Sequence, residues 1–292
     1  MRQYVITIAE KNNIREQFKE AKSGVNGDRV FLSEGYVIKF FEGRKKKYYP
    51  NELLIYSQLD FKYRSSLIDY GDIDGINYIV LTKSKGETLY YIWDELSLEE
   101  RKNSVSQIAD ILKAISNILE PKILDFRKEI KQQYFETIRH IKLKTDTKKQ
   151  IQHFFEHNIT FLSQTEKCYL TYIDVHFDNF LYNNGVIKAI DFEALKYAPL
   201  DYQMDRWCRM SRHPEIYANE FDKTRVIKSN YTALVGLMKE FYPEAFNFKA
   251  EEERLHLYSL VYNLNVIKKH NIPEDAIIEL LKEDMFLEIS FT

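Results

Sequence analysis

The sequence "YIDVHFDNFLYNNGVIKAIDFE" occupies residues 172–193 and mixes strand-forming residues with polar side chains that are costly to bury. Asp174 and Asn179 precede one predicted strand, and Asp191 ends a second strand that follows an Asn-Gly turn. Two carboxylates and an amide in such a segment need a chemical explanation. A loop at a sheet edge can aim Asp174 at a hydroxyl group, while Asn179 and Asp191 offer the oxygen ligands that Mg²⁺ prefers.

These roles match what phosphoryl transfer requires, since that reaction needs mainly positioning of the nucleophile and neutralisation of phosphate charge. Taken singly, Asp174 and Asn179 are also ordinary turn residues, and Asp191 is an ordinary strand-end residue. The order and spacing of all three favour the chemical interpretation.

Composition narrows the class of protein. The chain has 292 residues, 45% of them hydrophobic and 29% charged, which is typical of a globular protein. Its net charge is -2, so no overall positive field attracts nucleic acid or an anionic membrane surface. We therefore expect a small-molecule partner, no nucleic acid and no membrane. The composition does not predict an oligomeric state.

The cysteine count and the apolar runs indicate a cellular location. Cys168 and Cys208 are the only cysteines, too few for a disulfide framework, and we interpret them as buried thiols in a reducing compartment. No apolar run reaches the length that a signal peptide or a membrane-spanning helix requires. A cytoplasmic protein is expected.

The chain changes character near residue 84. Residues 28–42 and 65–83 each predict a strand pair, and residues 50–59 predict a helix that begins at a proline. After residue 84 the pattern becomes helical, beginning with a capping box at Ser97 and Glu100. We expect an α+β chain with a small β-rich N-terminal lobe, residues 1–84, and a larger mainly helical C-terminal lobe, residues 85–292.

The quoted stretch resembles the catalytic core of the aminoglycoside phosphotransferase and choline kinase-like family. The family pattern H-G-D-x-H-x-x-N, followed by I-D-F/W, is matched by residues 172–179 and 190–192, with Tyr172 and Ile173 as departures. The resemblance implies a bilobal protein-kinase-like fold and an ATP- and Mg²⁺-dependent transfer to a small-molecule hydroxyl. It also implies a catalytic base at Asp174 and metal ligands at Asn179 and Asp191.

The N-terminal third supplies an independent check on this interpretation. Lys39 lies among apolar residues in "YVIKFF", where an unpaired ammonium is costly, and Glu52 on the next helix is a natural counter-ion. In a kinase-like protein such a lysine holds nucleotide phosphates. The resemblance further implies a hinge in which backbone groups of Thr82 and Ser84 contact adenine behind Leu81.

Two weaker signals in the chain also match the family. Residues 23–32, "SGVNGDRVFL", are a candidate phosphate-covering turn without a strict glycine pattern. Downstream, Asp201 and Asp205 match a second acidic segment of the family, in which Asp205 can brace the catalytic loop or simply begin a helix.

Acid-rich residues 243–254 and 273–284 would suit a cationic acceptor such as an aminoglycoside, and solvated helix faces have the same composition. Alternatives to an aminoglycoside phosphotransferase-like enzyme are a choline, ethanolamine or sugar kinase and a catalytically silent nucleotide-binding module.

Overall fold

The computed structural model describes residues 1–21, 29–217 and 226–270. Contacts divide the chain into two compact units: Met1–Ile118 with His176–Leu195, called unit 1, and Leu119–Val175 with Lys196–Thr292, called unit 2. The lobe boundary predicted near residue 84, where the sequence pattern changes from strand to helix, stays a prediction. Residues 23–28 of the candidate phosphate-covering turn, and the acidic residues 273–284, lie outside the described part.

Unit 1 contains a five-stranded sheet in the order β1-β2-β3-β5-β4, with neighbouring strands antiparallel. Both predicted strand pairs are present, and the turn between β4 and β5 has positive φ at Asp74 and Gly75, as a tight hairpin requires. The strands are β1 Lys19–Glu20, β2 Arg29–Leu32, β3 Tyr36–Phe41, β4 Leu67–Ile73 and β5 Ile76–Thr82.

The helices of unit 1 include one that the sequence patterns did not predict. This helix, α1, packs Val5, Ile8 and Ala9 against Phe31 and neighbouring sheet residues. The helix predicted at residues 50–59 is present as α2, and the capping box at the start of α4 is confirmed. The helices are α1 Arg2–Lys11, α2 Tyr49–Gln58, α3 Leu89–Ile92 and α4 Leu98–Ser116, with a 3₁₀ helix at Gly43–Tyr48 before α2.

A second, smaller sheet in unit 1 carries the sequence quoted above. It pairs β6 Glu87–Thr88, β9 Phe180–Asn183 and β10 Val186–Ala189 in the order β10-β9-β6. The predicted Asn-Gly turn joins β9 to β10. Gly86, beside β6, has φ +122°, and a Cβ there would lie 2.4 Å from the carbonyl oxygen of Tyr182, so the position admits only glycine.

Unit 2 is mainly helical around a three-stranded sheet in the order β11-β8-β7. Its core joins apolar residues of α5, α6 and α9, and it encloses the free thiol of Cys168. Cys208 is also buried and free, as predicted. The elements are β7 Lys122–Leu124, α5 Phe126–Ile138, α6 Thr145–Asn158, β8 Glu166–Tyr172, β11 Leu195–Ala198, α7 Met204–Arg212, α8 Leu234–Phe241 and α9 Glu251–His270.

Across the described residues of both units, none of the helices is long and apolar enough to span a bilayer.

Candidate active site

The predicted pair of Lys39 and Glu52 is present in unit 1. Lys39 lies at the centre of β3, where its side chain is 10% exposed, and its Nζ donates to Glu52 Oε1 at 2.7 Å. Glu52 belongs to the first turn of α2, and its side chain is 1% exposed. Strand β3 therefore delivers an ammonium group, and helix α2 delivers the carboxylate that makes its burial tolerable.

Two further carboxylates meet the same ammonium. Asp191 Oδ1 accepts a hydrogen bond from Lys39 Nζ at 2.9 Å, and Glu193 Oε1 lies 3.1 Å from the same atom. The side chain of Asp191 is 44% exposed, whereas that of Glu193 is 12% exposed. Glu193 was not predicted as a site residue. Its sequence carried no strong signal, because Glu193 lies in the turn after β10, where side-chain direction does not follow strand alternation.

Glu193 is also attached to the segment that precedes and begins α2. Its Oε2 accepts from Lys45 Nζ at 2.9 Å, and its main-chain oxygen accepts from Asn51 Nδ2 at 2.8 Å. Lys45 belongs to the 3₁₀ helix before α2. Glu193, in the turn that follows β10, therefore contacts β3, the 3₁₀ helix and α2.

The carboxylates around Lys39 affect its pKa, and Lys39 in turn affects the pKa of Glu52. Burial lowers the pKa of Lys39, but the three carboxylates outweigh burial and hold that pKa well above its usual value. Burial raises the pKa of Glu52 above its usual value, although the Lys39 ammonium opposes the shift. The ammonium of Lys39 is thus held in its charged form by the carboxylates around it.

The carboxylates can also hold a metal ion. Glu52, Asp191 and Glu193 each offer an oxygen, and these three atoms lie within 4.8 Å of one another. Asp191 has φ +58°, a left-handed conformation that aspartate tolerates better than most residues, which suggests a functional reason for the position. The donors are hard oxygen atoms, which suit Mg²⁺.

Asn179, the other predicted metal ligand, lies at the same end of the β9-β10 hairpin as Asp191. Its main-chain oxygen accepts from Ile190 N at 2.9 Å, in the position just before Asp191. The Asn179 side chain is buried beside His176, with Nδ2 3.2 Å from the histidine Nε2. The hairpin thus brings the amide and the carboxylate to one strand end, as their spacing predicted.

A cavity of about 410 Å³ opens beside this cluster, within the size range of small-ligand sites. Ser84 and Leu81 of the predicted hinge line it together with Lys39 and Asp191. Its other walls are apolar side chains and loop residues: Ala21, Val30, Leu32, Val37, Tyr56, Ser65, Lys83, Gly86, Leu181 and Ile190. A largely apolar cavity whose wall includes an ammonium and a carboxylate suits a ring attached to phosphates.

The hinge residues differ in how their polar groups are used. The amide of Thr82 donates to Ser66 O at 2.9 Å, and its hydroxyl accepts from Ser66 N, so both groups serve the sheet. The hydroxyl of Ser84 lies 2.8 Å from that of Ser65 at the cavity wall. Contact of Thr82 and Ser84 with adenine stays a prediction.

Asp174 belongs to unit 2, where it follows β8. Its Oδ1 lies 3.1 Å from Arg206 Nη1, and the two side chains are 34% and 21% exposed. The guanidinium of Arg206, on α7, also lies over the ring of Tyr262 on α9, 5.1 Å from its centroid. The sequence analysis did not predict Arg206 as a site residue, because its distance along the chain from Asp174 hides the contact.

The acidic segment after β11 forms an enclosed network instead of an open site. Asp201 accepts from Arg254 Nε at 2.6 Å, and Glu166 accepts from Arg254 Nη1 at 2.8 Å. Asp205 accepts from Ser259 Oγ and pairs with Arg209 at 2.8 Å. A role for Asp205 in bracing the catalytic loop stays a prediction.

A larger cavity, of about 710 Å³, lies between α6 and α9 of unit 2. Its walls include three imidazole groups rather than clustered carboxylates: Lys149, Gln150, His153, Phe154, His157, Asn158, Glu253 and His256. None of the predicted site residues lines it, so size alone does not identify the candidate site.

Comparisons with known proteins place this arrangement in a structural context. No family model and no curated protein matches the chain. Among solved structures, the ADP-bound aminoglycoside phosphotransferase APH(2'')-Ib has a TM-score of 0.66 at 16% identity, over 97% of this chain and 96% of that chain. The streptomycin-ATP complex of APH(2'')-IIa has a TM-score of 0.63 at 15% identity, over 98% and 99% of the two chains.

A choline/ethanolamine kinase family protein from Mesorhizobium loti is similar as well. Its TM-score is 0.57 at 10% identity, over 93% of this chain and 86% of that chain. The chain therefore has the protein-kinase-like α+β fold that its motifs predicted, and its resemblance to aminoglycoside phosphotransferases and choline kinase-like proteins extends to three dimensions.

Proposed function

We propose that this protein is an ATP-dependent O-phosphotransferase, which moves the terminal phosphoryl group of ATP to a hydroxyl of a small molecule. The observation that carries the proposal is the Lys39 cluster: a buried ammonium, paired with Glu52 and Asp191, in the wall of a largely apolar cavity. Phosphoryl transfer in kinase-like proteins needs a lysine that binds the phosphates and carboxylates that hold Mg²⁺, and this chain has both in the same order along the sequence.

Each side chain has a distinct task in this proposal. Lys39, held by Glu52, binds nucleotide phosphates, while Leu81, Thr82 and Ser84 form the hinge that contacts adenine. The apolar walls of the cavity exclude water from the bound nucleotide.

Asp191 and Asn179 are the proposed Mg²⁺ ligands, with Glu193 as a further oxygen donor within reach of Asp191. Bound Mg²⁺ supplies charge neutralisation for the phosphates. Asp191 Oδ1 accepts from Lys39 Nζ, so it links the ammonium and the proposed metal site.

Asp174 is the proposed catalytic base, which orients the acceptor hydroxyl and accepts its proton. The ion pair with Arg206, at 3.1 Å, holds this carboxylate in place after β8. Asp174→Asn is expected to lower kcat by about 10²–10⁴-fold, because general-base catalysis has that magnitude, and to leave Mg-ATP affinity unchanged. Equal kcat for both proteins on a confirmed acceptor excludes Asp174 as the base.

The acceptor belongs to the proposal as well. A cationic acceptor such as an aminoglycoside remains our first candidate, although Glu251 of the acid-rich segment is paired with Lys239 at 2.7 Å, and Arg206 adds positive charge at Asp174. Choline, ethanolamine and simple sugars are the alternatives. A cytoplasmic location, where ATP is available and thiols stay reduced, is part of the same proposal.

A phosphorylation screen tests the proposal directly. The protein is incubated with ATP and Mg²⁺ in the presence of aminoglycosides, choline, ethanolamine or sugars, and phosphorylated products are detected by mass spectrometry. Transfer to any of these acceptors that depends on Asp174 supports the proposal. Tight Mg-ATP binding without transfer to any acceptor favours the alternative of a silent nucleotide-binding module.

A further inference from the structure

We propose that Lys45 is a positioning residue, which neutralises and holds Glu193 so that Lys39 is left available for nucleotide phosphates. The inference rests on the proposed function of Lys39. It concerns a residue on the 3₁₀ helix before α2 that none of the sequence motifs includes.

The contacts that carry the inference form a chain of charges. Glu193 lies between two ammonium groups, with Oε1 3.1 Å from Lys39 Nζ and Oε2 2.9 Å from Lys45 Nζ. The main-chain oxygen of Glu193 accepts a hydrogen bond from Asn51 Nδ2 at 2.8 Å, so both the main chain and the side chain of Glu193 are held. The Glu193 side chain is 12% exposed, which makes its charge costly to leave without a second partner.

Lys45 acts indirectly in this arrangement. The walls of the nucleotide cavity include Lys39 and Asp191, but neither Lys45 nor Glu193 is among the described residues that line it. The contact on which the inference rests is therefore that of Lys45 with Glu193, at 2.9 Å. In this proposal the influence of Lys45 on a bound nucleotide acts through Glu193 and Lys39.

The balance of charge gives the direction of the effect. Two ammonium groups, Lys39 and Lys45, face three carboxylates, those of Glu52, Asp191 and Glu193. Without Lys45, the whole charge of Glu193 falls on Lys39, which is then held more firmly by carboxylates. Phosphate oxygens must compete with those carboxylates for the same ammonium, so nucleotide affinity should fall.

The matched variants are Lys45→Met and Lys46→Met. Both remove one positive charge from the same 3₁₀ helix, but Lys46 is exposed and not in contact with Glu193 in the described structure. Calorimetry measures the dissociation constant of Mg-ATP, and thermal melting verifies that each variant is folded. We expect Lys45→Met to weaken binding about 5- to 20-fold, and Lys45→Arg and Lys46→Met to change it less than about twofold. Lys45→Gln serves in place of Lys45→Met if the latter does not fold.

A double variant tests whether Lys45 affects ATP affinity through Glu193 or through a general disturbance of the site. In the presence of EDTA, which removes any metal contribution of Glu193, Lys45→Met combined with Glu193→Gln should bind ATP more tightly than Lys45→Met alone, because the unneutralised carboxylate is gone. Equal affinities for Lys45→Met and Lys46→Met, or no recovery in the double variant, overturn the inference. Absence of Mg-ATP binding by the parent protein would instead contradict the proposed function.

Discussion

Lys39 in unit 1 and Arg254 in unit 2 are both buried cations that meet more than one carboxylate. Lys39 contacts Glu52, Asp191 and Glu193, while Arg254 contacts Asp201 and Glu166. Each cluster joins residues that are distant in the sequence. The two clusters have similar chemistry, but they differ in how far solvent and ligands can reach them.

The Arg254 cluster is closed. The side chains of Arg254 and Asp201 are 4% and 1% exposed, and the planar guanidinium donates through Nε and Nη2 to both oxygens of Asp201. Tyr258 Oη adds a contact to the same carboxylate at 3.3 Å. Every polar group named here is directed to another protein group, so the cluster serves the fold.

The Lys39 cluster is open on one side. Asp191 is 44% exposed and, with Lys39, lines the cavity. A lysine ammonium is a point charge that can exchange one oxygen partner for another, whereas the bidentate arginine pair has one preferred geometry. Buried charge is thus not by itself a sign of function. The open side is what distinguishes the proposed ligand site from the structural network.

The largest expected effect is on the closed cluster. Arg254→Met should lower the free energy of unfolding by about 3–5 kcal/mol, because it leaves two buried carboxylates without their cation. Urea unfolding followed by circular dichroism measures this loss. Arg29→Met is the control, since Arg29 pairs with Glu42 at the surface, with side chains 47% and 42% exposed, and should cost less than about 1 kcal/mol. Similar losses in both variants would show that enclosure does not determine the cost.

Lys39→Met makes the corresponding change in the open cluster. We expect Mg-ATP affinity to fall by about 10- to 100-fold, the size of a lost charged hydrogen bond, with a smaller loss of unfolding free energy than in Arg254→Met. Of the carboxylates that remain, Asp191 already lines the cavity and is 44% exposed, so it keeps contact with solvent. Calorimetry and urea unfolding give the two numbers. Unchanged nucleotide affinity together with a large loss of stability would make Lys39 a structural residue.

The same substitution at Asp191 and Asp201 compares one acid from each cluster. Asp191→Asn should reduce the Mg²⁺-dependent part of ATP affinity about tenfold and change stability little, since asparagine tolerates the left-handed backbone of this position. Asp201→Asn should instead lower stability without a direct effect on nucleotide binding. Calorimetry with and without Mg²⁺ tests this prediction. An undiminished metal dependence in Asp191→Asn would remove Asp191 from the metal site.

The smallest expected effect is on thiol reactivity in unit 2. Burial raises the pKa of both Cys168 and Cys208 to about 12, so at neutral pH neither thiol should react rapidly with Ellman's reagent in the folded protein. Labelling should become about two- to tenfold faster in Arg254→Lys, which weakens the closed cluster. It should stay the same in Lys39→Met. Fast labelling of the parent protein would show that unit 2 opens more readily than its packing indicates.

Local patterns in the sequence determined much of the fold. Strand pairs at residues 28–42 and 65–83, and the Asn-Gly turn between β9 and β10, follow from local backbone preferences that need no distant partner. Helix α1 was not predicted, because its amphipathic pattern is short and its apolar face is stabilised by packing against the sheet.

The candidate site divides in the same way. Lys39 could be paired with Glu52 from sequence, because a charge among apolar strand residues requires a nearby counter-ion, and the next helix carried one. The contacts of Glu193 with Lys45, and of Asp174 with Arg206, depended on how the chain returns in space. A charged residue in an apolar stretch of sequence indicates only that it needs a counter-ion. Tertiary structure decided which partner it is, and whether the resulting cluster is closed or open to a ligand, because enclosure depends on packing between segments far apart in the chain.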